Sequence, residues 1–330
     1  MAQQADIEPL HPGDEHEIPS FEAHESSESL KDRIKKHYEI ASDYYYSLWG
    51  QHIHHGLFKS AGETKEQAQV NLINLLLEIS ALPAGAKVLD VGCGIGGTSR
   101  FLAREHGAEV TGITISERQV DIARQITTTE VGATTAAAAA SLEDSYLRYP
   151  EKAGGAVRFL ELDAEKMLEH FRPAVGEGQA FDCVWISEAL SHLPNKELFF
   201  ASSFALLRGK GSRLVVADWF KAPGLPPELA EADIKPIEDG MLLPRLYTAD
   251  EYVALAEEAG FRVRQTPVDV SKDVAKTWDI SWSLVSSPSL WAFAISQGRD
   301  GLAFLQAFRA MRRGYANGTF RYAVMCFEKP

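Results

Sequence analysis

Apolar residues in this chain gather into short runs that stop abruptly, and each run is followed by a stretch with helical spacing. Five runs stand out: Lys87–Val91, Ala108–Ile113, Val157–Leu162, Phe181–Ile186 and Arg213–Ala217. Continuous apolar runs of this length, bounded by turn residues, read as strands buried on both faces. The intervening stretches carry helix signals. Thr64-Lys65-Glu66-Gln67 is a capping box that opens a helix burying Val70, Leu72, Ile73, Leu75, Leu76 and Ile79, ended by Pro83 and Gly85. Ser116 and Gln119 fit a second box, and that capping role alone would explain both residues. Asn195–Leu207 is amphipathic and closed by Gly209 and Gly211, and Thr248 caps a helix that stops at Gly260. Strands alternating with helices in this way imply a parallel, doubly wound α/β sheet. Ligands of such sheets bind beyond the carboxyl ends of the strands, which here carry Asp90, Thr114, Asp163, Ser187 and Asp218.

Several stretches break the rhythm. Residues 1–29 hold eight acids and no Lys or Arg, with Pro9, Pro12 and Pro19, the composition of a flexible acidic arm. Residues 30–59 concentrate aromatics and histidines: His37-Tyr38, Tyr44-Tyr45-Tyr46, Trp49, then His52-Ile53-His54-His55-Gly56-Leu57-Phe58. They read either as a lid over the ligand site or as a helical pair packing on the core. Residues 127–155, with Thr127-Thr128-Thr129 and Ala136 to Ala140, read as a surface insertion. Beyond Trp219 a Pro-rich stretch excludes sheet until the strand-like Phe261–Val270. Roughly 50 residues then precede a final apolar strand, Arg321–Phe327, too many for a turn. Their Trp278, Trp282, Trp291, Phe293, Phe304 and Phe308 suit a cap over the site, although plain core packing would use the same residues. The expected organisation is an arm (1–29) and one domain (30–330). The domain divides into an N-terminal helical lid (30–82), a nucleotide-binding core (83–220), a helical substrate cap (221–320) and a last strand (321–330). Its sheet is seven-stranded and mostly parallel.

Charge and cysteine content narrow the partners. A net charge of -13 argues against a nucleic-acid partner, which needs clustered Lys and Arg. No apolar run reaches the length of a membrane span, and no signal-peptide core is visible. Three widely spaced cysteines, Cys93, Cys183 and Cys326, fit neither a disulfide framework nor a zinc knuckle, so a reducing, cytoplasmic setting is expected. His52, His54 and His55 lack neighbouring acids or cysteines at ligand spacing, and no metal site is expected.

The chemistry centres on Val88-Leu89-Asp90-Val91-Gly92-Cys93-Gly94-Ile95-Gly96-Gly97. Gly92, Gly94 and Gly97 satisfy the dinucleotide pattern, but a dinucleotide also wants an acid ending the second strand, where Thr114 stands. Asp90, before the turn, instead suits a ligand with positive charge, such as an α-amino group.

This stretch resembles the first motif of class I S-adenosylmethionine-dependent methyltransferases. Val110 to Ser116 with Gln119 resembles a variant shared by tocopherol, sterol and cyclopropane-type members. Trp185 to Pro194, with Glu188 and His192, resembles the fourth motif of the tocopherol-like group. The ending Gly314-Tyr315-Ala316-Asn317-Gly318, through Tyr322 and Lys329-Pro330, is similar to that group's C-terminus, and His37-Tyr38 and His54-His55-Gly56 also fit. The nearest group joins tocopherol C-methyltransferases and plant alkaloid N-methyltransferases. The resemblance implies that S-adenosyl-L-methionine is bound by Asp90, Gly92 and Gly94 at its methionine end. It also implies Thr114 and Gln119 near the ribose, Asp163 and Ala164 at the adenine, Ser187 by its backbone and Tyr38 as a lid contact. For Asp163 a helix N-cap is the structural alternative.

Methyl transfer needs alignment and exclusion of water, plus a base if the acceptor carries a proton. His192 is the expected base, with Asp218 orienting it, and His54, His55 and Glu188 are candidates for binding the acceptor. The expected activity is methyl transfer to a small hydrophobic, aromatic or amine acceptor in specialised metabolism. A cyclase or pericyclase that retains the cofactor is the alternative.

Overall fold

The computed structural model describes residues 30–32, 34, 35, 39, 42, 46, 49–132, 145–150, 153–176, 180–285 and 298–330, without the side chains of 173–176, 282, 284, 285 and 298–306. The acidic arm, Tyr38, the alanine run 136–140, Trp291 and Phe293 lie outside these residues.

The apolar runs form the sheet expected of them. Its strands are β1 (Lys87–Val91), β2 (Glu109–Thr114), β3 (Leu147–Arg148), β4 (Ala156–Glu161), β5 (Cys183–Ser187), β6 (Arg213–Lys221), β7 (Arg262–Asp269) and β8 (Phe320–Glu328). Their spatial order is β3-β4-β2-β1-β5-β6-β8-β7. The pairings from β4 across β2, β1 and β5 to β6 are parallel, whereas β3 and β8 run antiparallel to their neighbours.

Successive residues of these strands face opposite sides, so a continuously apolar strand supplies two cores. On one side Val88, Val110, Val157 and Val215 pack with Leu72, Ile73 and Leu76 of helix α1 (Lys65–Ser80) and Leu102 and Ala103 of α2 (Gly97–His106). Val120 and Ala123 of α3 (Glu117–Glu130) join them. On the other side Leu89, Val91, Val184 and Val216 pack with Met167 and Phe171 of α4 (Met167–Gly176). Phe199 and Phe200 of α5 (Lys196–Leu206) and Tyr252 of α7 (Ala249–Glu258), which follows the short α6 (Lys235–Gly240), complete that layer. Each Val, Leu, Ile, Phe or Met side chain among them contributes about 1.5–3 kcal/mol on burial. The capping box expected at Thr64 is formed, and the cap expected at Thr248 is a full box as well.

Three boundaries differ from expectation. The sheet has eight strands, because the end of the 127–155 stretch returns as β3, an antiparallel edge pair on β4 (Leu147 opposite Val157, Arg148 opposite Ala156). The beginning of that stretch is no insertion either, since α3 continues to Glu130 with Ile126 and Thr127 buried. Finally, β6 does not end at Ala217: it runs to Lys221, in register with β8 along its whole length, so Asp218 lies inside a strand. β7, which contains Pro267, is an edge strand with irregular register, as a proline requires. α8 (Lys276–Val285) and α9 (Gly298–Asn317) occupy the interval before β8.

Candidate active site

The chain leaves β1 through glycines in the left-handed region, with φ of 73° at Gly92, 55° at Gly94 and 76° at Gly96. They are held there for different reasons. A Cβ on Gly92 would stand 2.3 Å from Cβ of Ala189, and one on Gly96 would strike the Phe159 ring. A Cβ on Gly94 would meet no protein atom within 4 Å and would project into open space. At Gly94 the left-handed backbone itself favours glycine, and the open space beside it borders the cleft.

That space is a cleft of about 880 Å³, mouth included, over the carboxyl ends of β1, β2, β4 and β5. Gly92, Gly94, Thr114, Gln119, Asp163, Ala164, Ser187, Glu188 and His192 all line it. Thr114 donates to Oε1 of Gln119 at 2.5 Å, while Ser116 accepts from the Gln119 amide. Only half of the expected capping box forms, and the glutamine side chain serves the cleft instead. Asp163 does cap its turn, accepting from Glu165 N at 2.9 Å, and its second oxygen takes Lys31 Nζ at 3.0 Å. Lys31 also bonds Glu165, so a helical residue from the N-terminal segment is pinned across the cleft. Pattern reading missed Lys31, because one lysine in a mixed helix carries no local signal.

Asp90 is buried at the base of the glycine turn, where its carboxylate accepts from Ser99 Oγ at 2.5 Å. Burial pushes its pKa up to about 6. A buried carboxylate bonded to a hydroxyl rather than a cation is complementary to a ligand ammonium group. Asp90 borders a smaller recess of about 370 Å³ that also reaches His54, Gly92, Gly94 and Ser187.

A second cavity, about 600 Å³, adjoins the cleft. Its wall is largely aromatic: Trp49, Trp219, Trp278 and Phe308, with Met241, His54 and His55. Ile53, Glu188 and His192 line both spaces and so mark where they meet.

Glu188 ends β5 in a left-handed conformation, φ 56°, that is uncommon for a residue with a Cβ. Three bonds hold it. Oε1 accepts from the His55 amide at 2.6 Å and from the Tyr322 hydroxyl at 2.9 Å, and Oε2 bonds His55 Nδ1 at 2.9 Å. The His55 charge interaction draws its pKa down against the effect of burial. His54 bonds the His55 carbonyl through Nδ1 at 2.8 Å, and burial lowers its pKa.

The expected His192–Asp218 partnership takes another form. Asp218 is wholly buried and accepts from the main-chain amides of Ser191 at 2.9 Å and Trp219 at 2.7 Å. It therefore fixes the short turn Leu190–His192 through the backbone. A carboxylate-to-imidazole bond is present in the site, but it joins Glu188 to His55.

The seven principal strands and the glycine turn together define the Rossmann-like methyltransferase fold. The solved mycolic acid cyclopropane synthase CmaA1, complexed with SAH and CTAB, superposes with a TM-score of 0.72 at 18% identity, covering 91% of this chain and 98% of that one. The [4+2]-cyclase SpnF superposes at 0.68 with 21% identity, over 91% and 96% of the two chains. At these identities both show the fold alone. Family models for mycolic acid cyclopropane synthetase and for a methyltransferase domain match residues 25–148 and 89–215. The chloroplastic "Probable tocopherol O-methyltransferase" of Oryza sativa subsp. japonica is 31% identical over 322 residues, 91% of this chain and 79% of that protein. The 27-O-demethylrifamycin SV methyltransferase of Amycolatopsis mediterranei (strain S699) is 30% identical over 74% and 79% of the two chains. The chain belongs to the class I S-adenosylmethionine-dependent methyltransferases and acts on a small molecule.

Proposed function

We propose that this enzyme methylates a lipophilic small molecule seated in the aromatic cavity. The observation that carries this reading is the junction itself: the cleft at the strand ends and the cavity walled by Trp49, Trp219, Trp278 and Phe308 meet at Ile53, Glu188 and His192. Relatives named for tocopherol, sterol and rifamycin substrates support a lipophilic acceptor.

The cleft fits S-adenosylmethionine on two counts, the open position at Gly94 and the buried Asp90 carboxylate. In this reading Asp90, Gly92 and Gly94 hold the amino-acid end and Ser187 contributes backbone contacts. Thr114 and Gln119 serve the ribose, and Asp163 and Ala164 the adenine. When bound, the cofactor supplies a methyl group activated by a sulfonium. The chain's own work is alignment and drying. Lys31 ties the N-terminal segment to Asp163 and closes the cleft. Trp219 and Trp278 orient the acceptor by its apolar body, and the acceptor atom faces the junction. His192 touches the reacting groups there, and Asp218 is a positioning residue that holds its turn.

Incubation with S-adenosylmethionine and a panel of prenylated hydroquinones, sterols and small polar amines tests the reading. S-adenosylhomocysteine should form with lipophilic acceptors at least tenfold faster than with polar ones. Turnover confined to polar amines, or no binding of S-adenosylhomocysteine by calorimetry, would refute it. Conversion of an acceptor without loss of cofactor would point to the cyclase alternative.

A further inference from the structure

Three spaces meet in this site, and one side chain touches all of them. The cleft over the strand ends, the recess beside Asp90 and the aromatic cavity share Ile53, and no other described residue borders all three. Glu188 and His192 line the cleft and the cavity, whereas Gly92, Gly94 and Ser187 line the cleft and the recess. A sulfonium cofactor has the same three-way form. Its sulfur carries an adenosyl group, an amino-acid chain and the methyl that is transferred. With the adenosyl group in the cleft, the amino-acid end in the recess and the methyl toward the cavity, the sulfur lies where the spaces join, beside Ile53.

The segment that carries Ile53 is held rigidly. The carbonyls on either side of it, those of His52 and His54, both accept from Gln69 Nε2, at 2.6 and 3.2 Å. Gln69 is itself wholly buried on α1. Further along, the His55 amide donates to Glu188 at 2.6 Å and the Gly56 amide to Thr277 Oγ1 at 3.1 Å. The Ile53 side chain packs against the buried cluster of Tyr46, Ile95, Ile122 and Ile126. It is only partly buried, unlike His52, His54 and His55 around it, and so keeps surface for the three spaces. A β-branched side chain is also stiff at χ1. Its hydrocarbon wall neither donates nor accepts a hydrogen bond, so what it contributes at the sulfur is size. A braced wall in a close-packed setting yields little to an added methylene.

We infer that Ile53 is a specificity-determining residue that sets the size of the transferred group, admitting a methyl on sulfur and excluding longer chains. Shortening it turns the enzyme toward ethyl transfer. The inference rests on the methyl-transfer reading above and adds donor selectivity to it. The step is the same for either group. The acceptor atom bonds the transferred carbon as the carbon–sulfur bond breaks, the electron pair stays on sulfur, and the proton displaced from the acceptor atom passes to water.

The test compares S-adenosylmethionine with S-adenosylethionine, its ethyl homologue, on full-length wild type, Ile53→Ala and Ile53→Val. In calorimetry without acceptor, the wild type should bind the ethyl donor about tenfold more weakly, the low end of what one methylene is worth against a fixed pocket. Ile53→Ala should bring the two Kd values within about threefold of each other. With the lipophilic acceptor that turns over fastest, its ratio of ethyl to methyl kcat/KM should rise about tenfold or more, with Ile53→Val between. S-adenosylhomocysteine has no third group on sulfur, and its affinity should change less than about fivefold in either variant. General loosening of the segment would weaken all three ligands together and leave the ratios alone. Equal Kd for the two donors in the wild type, or unchanged ratios in an Ile53→Ala enzyme that still binds S-adenosylhomocysteine, would overturn the inference. Should Ile53→Ala not fold, Ile53→Val decides: a Kd ratio within about twofold of the wild type's overturns it, and a larger shift toward the ethyl donor supports it. A wild type that binds S-adenosylhomocysteine and transfers methyl but fails these ratios sinks this inference alone. Absence of S-adenosylhomocysteine binding to the wild type sinks the methyl-transfer reading instead.

Discussion

Asp90 makes cofactor affinity depend on pH in a direction the structure dictates. Burial lifts its carboxyl to about 6, so the empty site is mostly ionised at pH 7 and mostly protonated at pH 5. The ionised fraction falls from about nine-tenths to about one-tenth between those values. A ligand ammonium pairs with the carboxylate and not with the acid, and it keeps its own proton throughout this range. Binding at pH 5 must therefore first expel a proton. Kd for S-adenosylhomocysteine, which retains the ammonium, should rise about tenfold from pH 7 to pH 5, equivalent to about 1.4 kcal/mol. Calorimetry in buffers of differing ionisation enthalpy gives a second readout. Release should approach about 0.9 proton per site at pH 5 and about 0.1 at pH 7. Asp90→Asn should bind more weakly at pH 7 and show no such dependence. Equal Kd at the two pH values in the wild type, or the same tenfold loss in Asp90→Asn, would refute the pairing of Asp90 with the ammonium.

The glycine turn separates packing from ligand space. Gly92→Ala, whose Cβ would collide with Ala189, should lower stability by about 2–4 kcal/mol in denaturant titration. Gly94→Ala should cost only about 1 kcal/mol of stability yet weaken S-adenosylhomocysteine binding at least tenfold by calorimetry. Lys31→Met removes the tie to Asp163 and Glu165, and should raise KM for S-adenosylmethionine about fivefold with kcat changed less. Asp218→Asn leaves one of two main-chain amides facing an NH₂ group, and should lower kcat about tenfold and Tm by several degrees. Steady-state kinetics and a thermal melt read both effects.

The cofactor half of the molecule was largely legible because its signals are local. Short apolar runs, glycines at fixed intervals and an aspartate two residues before a turn each follow from what neighbouring residues do to one another. What remained hidden depends on distant partners. β3 is two residues long and has no periodicity; only its pairing with β4 makes it a strand. An aspartate at 218 looked like the end of a strand, yet β6 continues because the amides of Ser191 and Trp219 compensate its burial and Phe220 extends the apolar face. Glu188 and His55 are separated by 133 residues, and no spacing rule joins them. Asp163 shows the opposite lesson. An N-cap was set against an adenine contact; the structure shows the cap, on a residue that also lines the cleft and gives its second oxygen to Lys31.

The position of β8 has a consequence for assembly. The last strand in chain order is inserted between β6 and β7, with nine residue pairs on one side and irregular pairing on the other. A nascent chain lacking residues 320–328 would hold a sheet ending at β6 and a β7 with no neighbour. Tyr322 sits on that strand and bonds Glu188, so the carboxylate that orients His55 has its full set of partners only once the strand is in place. The pairing of β8 with β6 thus links the far edge of the sheet to the group that holds the His55 ring.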